Sequence, residues 1–521
     1  MPRFLVEFAW VLFGIVVYEV LRSVVLRSLA RRIERSVREF IREAHLSREA
    51  YRFASKVVVV DEMMNDPVLH ERILRKAIAD GIRIEDARAI AEDYLDEIVP
   101  SFNLLSYYQI GYRVARALVN GLYQVVVDKK NLEAVQRLPR GCVVIFVANH
   151  RSNVDYVLMA YLLARHITLS YAVGEWARVW PLEHLFKSFG SYFVRRGFRD
   201  PFYHTVLKRY VQHISARGLT QGIFLEGGLS RDGKLREPKI GLLDYLVQLK
   251  SDPSFRDDLV FVPVGINFDW VLEDRHLLDE AAGRARKPTV SSKALSLARL
   301  LVFGPPTLIA NAVRLASGRI RRHGYASVRI GEPLSFDEYR ARNRPEWDES
   351  GSARENEERG PRVDAVKHLA GHLMDRISRS IPVTPVPLAC AALARLGPGA
   401  VGVDELRTEI ARLRTRAERA GAAILMGKEF EAERGARERL GDERSDRRGG
   451  LVEFEEAYLD AGEARVLLDV ALEILVRRGL VQRDGTTVTV RRGREDVIRY
   501  YAHSIDAHLT AGDPAAEHPD A

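Results

Sequence analysis

The sequence predicts an α/β domain: a mostly parallel sheet flanked by helices, with a helical region before it and a mostly helical domain after it. Three observations carry this. Short β-branched and aromatic runs recur between Cys142 and Ile330. They are nearly continuous in apolar residues instead of alternating, as strands covered on both faces are. Stretches with helical spacing, such as Tyr156–Arg165 and Phe202–Ala216, lie between most of them, which is the pattern of parallel strands joined by crossover helices.

The elements follow in order. "FAWVLFGIVVY", Phe8 to Tyr18, is an uncharged apolar run, after which Leu26, Leu29, Ile33, Val37 and Ile41 mark one helix face. Arg22, Arg27, Arg31, Arg32, Arg35, Arg38 and Arg42 fill much of the remainder. The run falls short of the roughly 20 residues that span a bilayer. Residues 1–48 are therefore expected to form a membrane-associated amphipathic helix with its arginines at anionic headgroups. The positive-inside bias puts it on the cytoplasmic side of the cell membrane. A cleaved signal peptide fits less well, since only Arg3 makes a basic start and no A-x-A site follows directly; a helix buried in the main domain is the other alternative.

Residues 49–138 read as helices, broken at Gly81, Pro100 and Gly121. The α/β domain is placed at 139–338. Its strands are "CVVIFVA" (Cys142–Ala148), "ITLSYAV" (Ile167–Val173), "SYFV" (Ser191–Val194), "QGIFL" (Gln221–Leu225), "LVFVPVGI" (Leu259–Ile266) and "YASVRI" (Tyr325–Ile330). A charged stretch nearly free of aliphatics, Arg340 to Arg362, makes 339–365 a linker or mobile loop, and Glu433 to Gly450 is similar. The mostly helical domain covers 366–510 and includes "ALEILVRRGLVQRDGTTVTVRRG", a helix followed by a two-stranded wing. Residues 511–521 are expected to be a disordered tail.

A net charge of +8 and pI near 9.3 suggest an anionic partner: nucleic acid, anionic lipid or a phosphorylated substrate. The ordinary apolar fraction excludes a multispanning membrane protein. Two cysteines, Cys142 and Cys390, cannot make a disulfide framework and are expected to be small buried residues.

In "NHRSNVDY", His150 and Asp155 are separated by four residues. With 14 histidines in 521 residues, such a pairing arises by chance about once, and His508 with Asp513 repeats the gap in a polar tail. Context distinguishes the first pair. His150 directly follows a strand and Asp155 falls in the first turn of the next helix, at the strand end that borders ligand crevices in open α/β sheets. Ser152 or Asn153 can cap that helix, whose N–H groups favour nearby negative charge. Asp155 can hold one imidazole nitrogen and leave the other as a general base. No serine or cysteine nucleophile is committed to that base, so it would act on a substrate hydroxyl.

Arg195 and Arg196 follow another strand, where guanidinium forks suit a phosphate. "FLEGGLSRDGKL" ends a further strand with Glu226, Gly227, Gly228, Ser230, Arg231 and Lys234, pairing close backbone approach with donors for an anion. In "VPVGINFD", Pro263 interrupts an otherwise apolar strand.

These four blocks, in this order, resemble those of the glycerophosphate acyltransferase superfamily, and more closely its glycerol-3-phosphate and dihydroxyacetone-phosphate 1-O-acyltransferases. "EPKIGLLDYL", "GYASVRIGEPLSF", "SIPVTPVPLACAAL" and "DVIRYYAHSIDAHL" extend the similarity over most of the chain from about Leu104. The resemblance implies an acyltransferase fold and transfer of a fatty acyl group from acyl-CoA or acyl carrier protein to the sn-1 hydroxyl of glycerol 3-phosphate. His150 and Asp155 would be catalytic. Arg151, Arg195, Arg196, Glu226, Gly227, Gly228, Ser230, Arg231 and Lys234 would bind the acceptor and its phosphate; Pro263 and Val264 would line the acyl-donor side. No cofactor or metal is implied beyond the thioester co-substrate, and no nucleic-acid partner is expected. Where the family has the first arginine of its third block, this chain has Leu229. Dihydroxyacetone phosphate or 1-acylglycerol 3-phosphate as acceptor stay open, as do an inactive membrane scaffold and a winged-helix nucleic-acid binder.

Overall fold

Asp66 accepts a hydrogen bond from the Leu69 amide at 2.8 Å and Pro67 takes the first helical position, so the chain turns there into a helix that Gly81 ends in a left-handed conformation. The computed structural model describes residues 56–100, 112–128, 131–139, 141–163, 169–174, 191–195, 197–284, 322–343, 361–425, 452–453 and 462–510. The amphipathic helix expected over 1–48, the charged stretch Glu433 to Gly450 and the tail at 511–521 lie outside them.

Helices α1 (Lys56–Met64), α2 (Pro67–Asp80) and α3 (Ile84–Ile98) open the described chain, and α4 (Tyr112–Leu122) follows. Strand β1 (Gln124–Asp128) comes next, then the short α5 (Leu132–Gln136), β2 (Val143–Ala148), α6 (Val154–Leu163), β3 (Leu169–Gly174) and β4 (Tyr192–Val194). Helix α7 (Pro201–Ala216), β5 (Thr220–Phe224), α8 (Gly241–Gln248), β6 (Leu259–Phe268), α9 (Asp274–Ala281), β7 (Tyr325–Ile330), β8 (Leu334–Ser335) and α10 (Phe336–Asn343) complete the α/β part. Beyond it come α11 (Pro361–Ser380), α12 (Pro385–Leu396), β9 (Ala400–Gly402), α13 (Val403–Arg419), β10 (Val452–Glu453), α14 (Gly462–Arg477), β11 (Val481–Asp484), β12 (Thr487–Val490), α15 (Glu495–His503) and α16 (Asp506–Thr510).

The main sheet runs β10-β1-β7-β6-β2-β5-β3-β4, with β8 beside β6. Its pairings are parallel except where β7 and β8 meet β6. The sheet is thus mostly parallel and flanked by helices, as the uninterrupted apolar runs imply. On β2, Val143, Ile145 and Val147 enter the core shared with α1–α3, α7, α8 and α11, while Phe146 and Ala148 enter the core shared with α6 and the C-terminal helices. A strand covered on both faces has no polar face to alternate with.

Strand β1 corrects the reading of residues 49–138 as helices throughout. "QVVVD" is buried at all five positions and pairs in parallel with β7. Its three valines directly continue the apolar spacing of α4, which disguises the change of period. The charged stretch from Arg340 to Arg362 is helical at both ends, within α10 and α11; 344–360 lies outside the described residues. Pro263 sits inside β6 between the residues that pair with β8 (Val260, Phe261) and those that pair with β7 (Val264 onward). A residue without an N–H fits where one partner ends and another begins.

The helix and two-stranded wing are present, and β9 adds a third strand in the order β11-β12-β9, both pairings antiparallel. Helix, strand, two helices and hairpin (α12, β9, α13, α14, β11, β12) keep the order of a winged helix, with β10 of the main sheet lying between α13 and α14. Asp469 and Glu473 occupy exposed positions on α14, the helix before the hairpin, where a phosphate backbone would meet anions. The unit packs onto the sheet instead: α12 is buried from Pro385 to Leu393, and the buried Asp269 at the end of β6 accepts the amides of both Tyr325 and Val386 at 2.9 Å. Gly265 marks a close crossing, since a Cβ there would overlap the Ser380 carbonyl at the end of α11.

Candidate active site

The site grows from the loop between β2 and α6. Asn149 fixes the start of the loop, its amide nitrogen donating to the Ile266 carbonyl (2.9 Å) and its oxygen accepting the Ile266 amide (2.7 Å). His150 Nδ1 lies 2.9 Å from Asp155 Oδ2, and both side chains are essentially inaccessible to solvent. Since a carboxylate only accepts, Nδ1 carries the proton and Nε2 is left with a lone pair. The imidazole stacks on Phe224 (centroids 4.2 Å apart) and meets the edge of Tyr156 at 5.1 Å, which fixes its plane.

Three carboxyl groups hold the loop by its backbone. The His150 amide donates to Glu226 Oε1 (2.8 Å), the Arg151 and Ser152 amides to Asp155 Oδ2 (2.7 and 3.0 Å), and the Asn153 amide to Glu273 Oε1 (3.2 Å). Ser152 Oγ donates to Glu273 Oε2 (2.8 Å) and accepts from the Val154 amide (3.1 Å), so Ser152 caps α6 as expected. The negative charge that the N–H groups at the start of α6 were expected to favour is supplied by the protein itself: each of these amides binds one of its own carboxyl groups. Glu226 also accepts the Arg236 amide at 2.9 Å, and burial pushes its carboxyl group above the usual range against the pull of these bonds.

The other anticipated residues divide. Ser230 joins the site through its amide, which donates to the His150 carbonyl at 3.0 Å, while its hydroxyl closes the loop on the Lys234 carbonyl at 2.6 Å. Gly227 adopts a positive φ of 62°, and a Cβ there would come within 2.8 Å of the Lys239 side chain. Gly228 is buried beside it; the Arg231 guanidinium pairs with Glu280 at 3.1 Å, and Lys234 is exposed. The Arg151 guanidinium is buried and donates to the carbonyls of Gly233 and Ser504, so it ties the loop to the C-terminal region. Arg195 forks onto Glu97 of α3, with Nε to Oε1 at 2.7 Å, within a ring of Tyr94, Phe198 and Tyr203. Arg196 lies outside the described residues. Pro263 and Val264 are interior to β6, next to Val147 and Ala148. Leu229 is half-buried and packs against the core on the α6 side of the sheet.

The roles of Glu273, Asp274, Arg478 and Tyr501 had no local signal in the sequence. Asp274 accepts from the Arg478 guanidinium and from the Tyr501 hydroxyl (2.7 Å), one residue after the Glu273 that holds Ser152. Each pair spans 120 residues or more, so no local motif announces it.

Residues 127–267 match the acyltransferase family model, and residues 309–446 match that of the glycerol-3-phosphate acyltransferase C-terminal region. By sequence, the chain is similar to the glycerol-3-phosphate acyltransferases. Relatives bearing that name include those of Aeromonas hydrophila (26% identity over 74% of this chain and 45% of the relative), Haemophilus influenzae (25%, 73% and 45%) and Pseudomonas fluorescens (28%, 64% and 38%). The chain spans less than half the length of these curated relatives. A solved 1-acyl-sn-glycerophosphate acyltransferase from Thermotoga maritima is 19% identical, covers 52% of this chain and 79% of its own, and has a TM-score of 0.25.

Proposed function

We propose that this chain transfers a fatty acyl group from a thioester to the sn-1 hydroxyl of glycerol 3-phosphate, giving lysophosphatidic acid. The observation that carries the reading is the buried His150–Asp155 pair at the carboxyl end of β2, with Nδ1 held and Nε2 left to act. Nε2 takes the acceptor's hydroxyl proton as that oxygen attacks the thioester carbonyl; Asp155 stabilises the imidazolium that forms. The tetrahedral intermediate then expels the thiolate, the carbon–sulfur bond breaks, and the imidazolium returns the proton to sulfur. Asp155 works through orientation as well, because the same oxygen holds the Arg151 and Ser152 amides.

The donor is a thioester of coenzyme A or acyl carrier protein, and the reaction takes place at an anionic membrane surface. The experiment is acyl transfer from a labelled thioester to glycerol 3-phosphate, dihydroxyacetone phosphate and 1-acylglycerol 3-phosphate, measured side by side. Label in lysophosphatidic acid above the other products supports the reading, and label confined to phosphatidic acid contradicts it.

A further inference from the structure

Of the basic residues that follow strands β2, β4 and β5, Arg195 is paired with Glu97, Arg231 with Glu280, and Arg151 with backbone carbonyls. Two others close over the turn at residues 226–229. Arg236 is half-buried, and its Nη1 approaches the Leu229 carbonyl at 3.4 Å. The Lys239 side chain covers Gly227. Among the described residues, neither has a carboxylate at ion-pair distance. Both belong to the backbone that carries the catalytic loop. The Arg236 amide and the His150 amide share the Glu226 carboxyl group, and the Lys239 amide donates to the Leu225 carbonyl at 2.6 Å.

Resting on the acceptor read above, we infer that Arg236 and Lys239 form the phosphate cradle of this enzyme. Arg236 supplies, from seven residues further along, the guanidinium that the family places at position 229. Leu229 is half-buried and packs against the core, and the charge enters the same corner from the opposite side of the loop. A guanidinium fork and an ammonium group over a glycine turn suit a phosphate monoester dianion.

Steady-state kinetics of R236L, K239Q and the double variant L229R/R236L test this. R236L should raise KM for glycerol 3-phosphate roughly tenfold or more, the effect of losing one charge-assisted bond, while KM for the acyl donor stays near wild type. K239Q should raise the same KM, and L229R/R236L should recover part of the loss. R236Q, which can still donate to the Leu229 carbonyl, gives the same reading if a thermal melt shows R236L to be unfolded. Folded R236L and K239Q with wild-type KM, in an enzyme active on glycerol 3-phosphate, overturn the cradle alone. A wild-type chain that acylates glycerol but not glycerol 3-phosphate overturns the acceptor reading and the cradle together.

Discussion

Asp155 Oδ2 accepts from the imidazole and from two amides of the loop, so its charge both orients His150 and shapes the backbone beneath it. Asp155→Asn keeps an oxygen for those donors but removes the charge that stabilises the imidazolium, and it buries an amide nitrogen where Oδ1 has no partner. It should lower kcat by roughly 10²–10⁴-fold, the usual span for an acid–base partner, and lower the melting temperature as well. An asparagine variant that melts early yet keeps wild-type kcat would reduce Asp155 to scaffolding. His508, whose spacing to Asp513 repeats that of His150 to Asp155, does not lie in a polar tail. It is buried in α16, its Nε2 at 2.7 Å from the Ile381 carbonyl, and burial holds its pKa below the ordinary value. His508→Ala is therefore not silent: it should cost about 1–3 kcal/mol of stability and leave kcat of the folded protein unchanged. A group with a depressed folded pKa contributes stability above its unfolded value, near 6.5, and loses it as pH falls through the folded value. The cost of His508→Ala, read from urea unfolding, should be full at pH 8 and shrink toward pH 5; a cost that grows on acidification contradicts the buried neutral imidazole.

At the scale of elements, β2, β5, β6 and β7 were legible because strands buried on both faces are written as unbroken apolar runs, and α6 and α7 because their caps and spacing are local. β1 was not, since its valines continue the spacing of the helix before it. His150, Asp155 and the capping Ser152 could be read within eight residues, whereas Glu273 could not: its hydrogen bonds to Ser152 and Asn153 exist only after the chain after β6 returns to the loop. The roles expected of Arg151 and Arg195 rested on sequence position, and only the fold shows which cations spend their charge on carbonyls or on Glu97. Gly233 shows how closely elements meet here. Its φ is +87° and a Cβ would overlap the Tyr500 carbonyl of α15, while its own carbonyl accepts from Arg151. Gly233→Ala should destabilise the protein by more than 1 kcal/mol and slow the enzyme by loosening that clamp. Unchanged melting and turnover would show that α15 can move away freely.

Over the whole molecule, the winged-helix-like unit has become a buttress. Arg478 and Tyr501 bind Asp274, and Ser504 accepts from Arg151, so the C-terminal region holds the His150 loop from both sides. No helix among the described residues is long and apolar enough to cross a membrane; the anchor expected from the sequence is the arginine-rich stretch at 1–48. Deletion of Met1–Arg48 should move much of the protein from vesicles containing anionic lipid into the supernatant; complete sedimentation of the truncated chain would place the main membrane contact elsewhere. The central claim is that His150 is the base of an acyl transfer to glycerol 3-phosphate. Turnover of labelled thioester by purified His150→Ala, beside wild type and with KM for glycerol 3-phosphate measured in both, tests it most directly. Transfer should fall by roughly 10²–10⁴-fold with that KM little changed, and near-wild-type turnover by the folded variant would contradict the claim.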